Sequence, residues 1–223
     1  MKNIGFSEEL QREVVARAKT ETRRLTNPQP DDYLKNAYGD FFLPDGRRVS
    51  LLANRRVIRP RYEFGEIIYI KEPYTPHPLG LDRVFYKYDH KDIKDLQELG
   101  YGDYLDNPGF WWSKEHMPAR MARYFLRITD RYGERLQDIS EESCKKEGIF
   151  SDALECNFGL PNIQRTALET VLGKSWREAY ARLIDSTYGA GTWKNNPFVW
   201  VYCFEFLPEL TTSERRLYKL TKR

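Results

Sequence analysis

The chain reads as an α+β protein: a small, mostly antiparallel β-barrel decorated with helices and insertions. Three observations lead there. Strand signals are separated by long connections, two helices carry serine caps, and the last strand is aromatic and apolar on both of its faces. All of this fits within 223 residues, and a single core keeps growing up to roughly 250 residues. We therefore expect one domain over 1–207, with insertions at about 27–63 and 75–109, and a basic C-terminal tail over 208–223.

From the N-terminus, Ser7 is placed to cap a helix whose first turn holds Glu8 and Glu9 and whose apolar stripe is Phe6, Leu10, Val14 and Ala18. That helix is expected to end near Lys19. A Thr-rich turn, Thr20 to Leu25, then leads into a brief strand before Asn27-Pro28-Gln29-Pro30 breaks the chain. The stretch from 27 to 63 reads mostly as loop. Strand signals follow at Ile67 to Ile70 and at Val84 to Tyr88, which the reading pairs as antiparallel neighbours. The segment 89–109 is rich in Asp and reads as a short helix with a solvated loop. Ala122 to Arg131 alternates Tyr124, Leu126 and Ile128 against Arg123, Arg127 and Arg131, so one face is core and the other basic. Ser140 caps a helix over Glu141 to Glu147, stopped by Gly148. A second helix runs from about 175 to 188, with Trp176, Tyr180, Leu183, Ile184 and Thr187 on one face, and ends at Gly189. Phe198 to Phe206 has the two-sided apolar pattern of a central barrel strand. The tail, with Arg215, Arg216, Lys219, Lys222 and Arg223, is expected to fray.

Lys and Arg total 36 against 33 Asp and Glu, a net charge of +3, so bulk charge alone does not name a partner. The three cysteines, Cys144, Cys156 and Cys203, are widely spaced and form no CxxC pair. With only His77, His90 and His116 to help, neither a disulfide framework nor a zinc site is written here, and reduced thiols are expected. No metal and no cofactor is predicted. The start lacks a signal-peptide pattern and no run of ~18 apolar residues exists to span a bilayer, so we expect a cytoplasmic protein with no membrane partner. Oligomeric state is not encoded legibly. Local charge is more telling. Arg47, Arg48, Arg55, Arg56, Arg59 and Arg61 form the densest basic run. Together with the Arg123/Arg127/Arg131 face, they offer either a phosphate track or a solvated surface.

Four stretches, in order, resemble the phage and prophage branch of the ASCH family. They are Phe6-Ser7 with a helix into Lys19-Thr20-Glu21-Thr22-Arg23-Arg24; Phe64 to Glu72; Trp112 through His116-Met117-Pro118 into Glu134 to Glu142 and Glu147-Gly148-Ile149; and Tyr188-Gly189-Ala190-Gly191-Thr192-Trp193 through Asn196 to Val201. The resemblance implies a PUA-like barrel and a role in binding nucleobases, nucleosides or RNA. One small bacterial group of the family hydrolyses the acetyl amide of N(4)-acetylcytidine with a Lys, a Thr and a distant Glu. The matching positions here are Lys19, Thr22 and Glu147. Two departures stand out: Ala18 stands near where many relatives have a Gly-basic pair before the Lys, and this chain is much longer than those hydrolases. A phage origin would place the protein in the bacterial host cytoplasm.

On that resemblance Thr22 would attack, Lys19 would activate it and Glu147 would protonate the leaving amine, provided burial or Arg23 and Arg24 lower the Lys19 pKa. Glu147, in the last turn of a short helix, is expected to have its pKa raised by the helix dipole. In an ideal strand Lys19 and Thr22 would face opposite ways, so the pair requires a turn. Substrate-binding candidates are Arg24, Arg23, Glu72, Trp112 and His116. The bland reading of the same residues is a helix-terminal cation at Lys19, a strand residue at Thr22, a solvated carboxylate at Glu147, surface ion pairs at Arg24 and Glu72, a core cap at Trp112 and a structural His116. The partner implied is a modified nucleoside or single-stranded nucleic acid. The alternatives are a non-catalytic RNA or single-stranded DNA binder, and a metal-dependent ribonuclease using Glu72 and Glu147.

Overall fold

The computed structural model describes residues 1–30, 32–35, 41–42, 48–53, 56–77, 80, 83–149 and 175–218. They form a mixed α and β protein. The chain divides into two compact units: Met1–Gln11, Ile67–Arg127 and Phe206–Arg223 in the first, and Arg12–Glu66 and Ile128–Glu205 in the second.

The elements in chain order are β1 (Asn3–Gly5), α1 (Glu8–Val15), β2 (Glu21–Leu25), β3 (Asp32–Lys35), β4 (Phe41–Phe42), β5 (Arg48–Ala53), β6 (Arg56–Val57), β7 (Ile67–Lys71), β8 (Tyr74–Pro76) and β9 (Val84–Tyr86). After them come α2 (His90–Glu98), β10 (Phe125–Arg135), α3 (Glu141–Lys146), α4 (Trp176–Tyr188), α5 (Thr192–Asn195), β11 (Phe198–Leu207) and α6 (Thr212–Leu217). Among the described residues no helix is long and apolar enough to cross a membrane.

In the first unit β7, whose five residues are all buried, runs parallel to β1 with Ile4 opposite Ile70. On its other side it pairs antiparallel with the start of β10, Leu126 opposite Ile68. The expected pairing of the strands near 67–70 and 84–88 is not formed. β9 pairs instead with β8, Thr75 opposite Phe85. The strand β8 lies in the proline-containing connection; its Pro76 stands at the strand end, where a missing N–H costs no ladder bond. The 89–109 segment carries its own small core: Leu96 of α2 packs with Phe85 and Trp111, flanked by Tyr101, Leu105 and Phe110. Asp89 caps α2 by accepting from Lys91 N and Asp92 N. The tail is also more ordered than expected. Thr211 and Glu214 form a capping box for α6, Leu210 is buried against Ile67, Tyr69 and Phe125, and Ile67 N donates to the Tyr218 hydroxyl at 3.3 Å.

In the second unit β11 is central, with β2 on one side and β10 on the other. Val199, Trp200, Val201 and Tyr202 are all buried, so both faces of the strand are covered, as its two-sided apolar pattern requires. The core beneath it joins Val199 and Val201 to Leu136, Ile139, Cys144, Ala179, Tyr180 and Ile184. The Ser140 cap holds, accepting from Ser143 N at 3.0 Å, and Ser175 caps α4 by accepting from Glu178 N at 3.2 Å. The region 27–63, read as loop, contains four strands: β5 pairs with β3, β4 and β6, and β4 runs parallel to β10 at Tyr132. These strands are two to six residues long. They pair with one another and, at one position, with β10, so the ladder rather than a local period defines them.

Candidate functional site

The helix α1 stops at Val15, four residues before the expected end. Arg17 takes φ 65°, and two bonds close the terminus: Ala18 N to Glu13 O at 2.9 Å and Arg17 N to Val14 O at 3.0 Å. This is the Schellman arrangement with an arginine where glycine is usual. It throws Lys19 out of the helix, and Lys19 N also bonds Glu13 O, at 3.0 Å.

The helix α3 ends in a related way. Glu147 is its C-cap and Gly148 follows with φ 76°. A Cβ at Gly148 would stand 2.9 Å from Lys19 Cβ and 3.1 Å from Glu13 Cβ, so glycine is required both for the backbone turn and for the approach of the two helix ends. Thr20 N donates to Lys146 O at 2.8 Å across the same junction.

Lys19 and Glu147, 128 positions apart, therefore meet. The Lys19 ammonium is 1% exposed. It donates to Glu147 Oε2 at 2.5 Å, Glu147 O at 2.6 Å and Glu21 O at 2.7 Å. The Glu147 carbonyl is one of those a helix C-terminus leaves without an intrahelical partner. On its other side the Glu147 carboxylate accepts from Arg23 Nη1 at 3.2 Å and from the Tyr180 hydroxyl at 3.5 Å.

Arg23 is itself buried and engages two further carboxylates, Glu134 at 2.6 Å and Glu21 at 3.3 Å. Its guanidinium thus binds protein carboxylates, contrary to the expectation of a substrate-binding group. Lys146 reaches Glu21 at 3.6 Å.

Burial pushes the Lys19 pKa down; Glu147 opposes this, and the Arg24 and Arg23 charges reinforce it. Burial by itself would raise the Glu147 pKa, but Lys19 and Arg23 outweigh it and hold the carboxyl below its ordinary value. The expectation of a raised Glu147 pKa is corrected here. A helix-end dipole is worth ~0.3–1 kcal/mol, and two buried cations in direct contact exceed it. Glu134 goes the other way: burial raises it, with Arg23 opposing.

Thr22 is also buried, but it lies on β2 opposite Tyr202, with Arg24 opposite Trp200. Alternation puts Thr22 and Arg24 on one face and Glu21, Arg23 and Leu25 on the other. The bonds Phe204 N to Thr20 O and Thr26 N to Phe198 O show that the even-numbered residues face β11. The Glu21 carbonyl therefore turns to the opposite edge, and the Lys19 ammonium sits at that edge. The described acceptors of Lys19 do not include the Thr22 hydroxyl. The helical turn expected to bring Lys19 and Thr22 together is absent: Lys19 precedes the strand, and its side chain returns along the edge. Arg24 Nη1 lies 3.5 Å from the Tyr188 hydroxyl.

The remaining candidates belong to the first unit. Glu72 is fully buried and accepts from Arg123 Nε at 2.9 Å and Nη2 at 2.7 Å, and from Gln11 Nε2 at 2.6 Å. Arg123 also pairs with Asp89 and stacks over Tyr86 and Tyr124. Both carboxylates proposed for a metal, Glu72 and Glu147, are thus already neutralised by protein cations. Trp112 is half-exposed and forms a bridge with Tyr74, its ring edge-on at 5.5 Å, whereas Trp111 is buried. His116 is exposed at the end of a short turn.

The Arg123/Arg127/Arg131 face does not keep its charge free: Arg123 pairs with Glu72, Arg127 with Glu214 at 2.7 Å and Arg131 with Glu63 at 2.5 Å. Of the six-arginine run, Arg47 and Arg55 lie outside the described residues, as does Cys156. Cys144 and Cys203 are free thiols. Sequence reading missed Glu134, Tyr180, Gly148 and Arg123 as organisers of these clusters; only the glycine left a local signal, as the stop of α3. Comparison with protein-family models, curated proteins and solved structures gave no match.

Proposed function

We propose that this chain is an ASCH-type protein with a PUA-like barrel that holds a nucleobase or nucleoside and hydrolyses the acyl amide of an N(4)-acylated cytosine. The observation that carries the reading is the buried contact at 2.5 Å between Lys19 Nζ and Glu147 Oε2, an amine and an acid brought together from distant parts of the chain.

In this reading Lys19 hands its own proton to Glu147 and takes that of the Thr22 hydroxyl through a water between them as that oxygen bonds to the acyl carbon. The C–N bond then breaks, and the proton passes from Lys19 by way of Glu147 to the departing amine. Water hydrolyses the Thr22 ester and releases the carboxylic acid. Arg24, sharing the Thr22 face, orients the base.

Incubation with N(4)-acetylcytidine and related acylated cytosines, beside Lys19→Ala and Thr22→Ala, tests this. Turnover by the parent and its loss in both variants is expected. No turnover across the panel removes the enzyme claim, and turnover surviving Thr22→Ala removes the nucleophile.

A further inference from the structure

We infer that Tyr101, Tyr104 and Phe110, with Asp103 and Asp106, form a docking surface for an arginine-bearing segment of a partner protein. The first unit shows what such a surface takes, because it builds the same combination twice for arginines of its own. Arg83 Cζ lies 4.3 Å from the Phe85 centroid, while its edge pairs with Asp92 at 3.3 Å and with Asp95. Arg123 Cζ lies 4.1 Å from the Tyr86 centroid and 4.5 Å from that of Tyr124, with Glu72 and Asp89 at its edge. In both places a guanidinium sets its flat face on rings and its N–H groups on carboxylates.

A third set of rings and carboxylates is built without its cation. The centroids of Tyr101 and Tyr104 are 6.1 Å apart, those of Tyr101 and Phe110 6.3 Å, and those of Tyr104 and Phe110 6.5 Å with 29° between the planes. Among the described residues no Lys or Arg lies over these three rings, and Asp103 and Asp106 make no ion pair. The sequence supplies the reason: between Lys94 and Lys114 stand Asp95, Glu98, Asp103 and Asp106, with no Lys, Arg or His. Asp95 goes to Arg83 and Glu98 to Lys94. The other two carboxylates flank Tyr104 within two residues on either side.

The rings are fixed in advance. Tyr101 N bonds Leu96 O at 2.9 Å, and Tyr104 N to Tyr101 O, Asn107 N to Tyr104 O and Phe110 N to Asn107 O each close at 3.0 Å. Tyr101 and Phe110 rest on the core of Phe85, Leu96 and Trp111, so little ordering entropy opposes a partner. Tyr104 is 54% exposed and Leu99, two residues before Tyr101, 45%. An exposed leucine beside a cation-seeking surface fits a chain segment that brings an apolar side chain next to its arginine. The carboxylates repel phosphate, so nucleic acid does not suit this surface. It is separate from the Lys19 site and does not rest on the amidohydrolase reading.

The test is fluorescence anisotropy of the full chain with a short fluorescein-labelled peptide of repeated Gly-Arg-Leu units, beside matched Gly-Lys-Leu and Gly-Gln-Leu peptides. The arginine peptide is expected to bind with an affinity that falls with salt, the lysine peptide about fivefold more weakly, and the glutamine peptide not at all. Tyr104→Ala should weaken binding about fivefold. Asp103→Asn with Asp106→Asn should weaken it about tenfold and make the salt dependence shallower. All of these positions are exposed, so the variants keep the fold. Phe64→Ala, which removes an exposed ring of the second unit, should bind as the parent does. No binding by the parent, or binding unchanged in both surface variants, overturns the proposal. A lysine peptide bound as tightly removes the guanidinium as the occupant, and equal displacement by free N-acetylarginine amide at matched arginine concentration removes the partner segment. Self-association of the parent that Tyr104→Ala abolishes in sedimentation velocity gives the surface to a second copy of this chain and overturns it too.

Discussion

Replacing Glu147 with glutamine keeps the shape of the side chain and removes its charge, which makes it the sharpest probe of the buried network. The parent carboxylate accepts from Lys19 on one oxygen and from Arg23 and Tyr180 on the other. Glutamine has one acceptor oxygen, and its amide nitrogen would face a donor whichever way it turns. Two cations at 1% side-chain exposure then lose their shared counter-charge. Breaking a buried pair by removing one partner costs ~3–5 kcal/mol. Lys19 can shed its proton to limit the loss, and Arg23 keeps Glu134, so we expect the lower part of that range, about 3 kcal/mol. Urea unfolding followed by circular dichroism at pH 7 reads it directly. Lys19→Met should cost less, because Glu147 retains Arg23. In a double-mutant cycle Lys19→Met with Glu147→Gln should fall well short of the sum of the single changes. A Glu147→Gln loss below about 0.5 kcal/mol, the level of an inert surface change, would refute the reasoning.

Three further outcomes are expected. The Lys19 pKa is lowered in the folded state, so between that value and its unfolded value of about 10.4 the unfolded chain binds the extra proton and stability rises with pH. The difference in stability between parent and Lys19→Met should carry that rise, and a flat difference from pH 7 to 10 would refute it. Gly148→Ala meets both a left-handed φ and a Cβ contact at 2.9 Å, so it should cost more than the ~1–2 kcal/mol of the backbone alone. Arg17→Gly, at a left-handed position on an exposed turn, should gain up to ~1 kcal/mol. Opposite signs in thermal unfolding check the pair. Burial pushes the Cys144 and Cys203 thiols up to about 12, so both should react slowly with Ellman's reagent at pH 8 and rapidly in denaturant. Fast native labelling mapped to either residue contradicts this.

The residues alone determined the elements whose signals are local. Ser140 and Gly148 bracket α3, the apolar face and Gly189 mark α4, and the apolar doubling of Phe198 to Phe206 marks a strand buried on both sides, because caps and side-chain periods act within a few positions. Lys19 and Glu147 were singled out through a family resemblance. Nothing in their own surroundings distinguishes them from a surface pair. Tertiary structure decided the rest. The early stop of α1 depends on Arg17 accepting a left-handed turn, and the strands between 27 and 63 exist through pairing with one another. β9 took β8 as partner because the intervening chain could itself become a strand. The pKa directions of Lys19 and Glu147 were set by which charges lay within a few ångströms after folding, a distance that sequence separation does not encode. The arginines divide for the same reason: Arg123, Arg127 and Arg131 found carboxylates, while Arg135 and Arg177 found rings and backbone carbonyls.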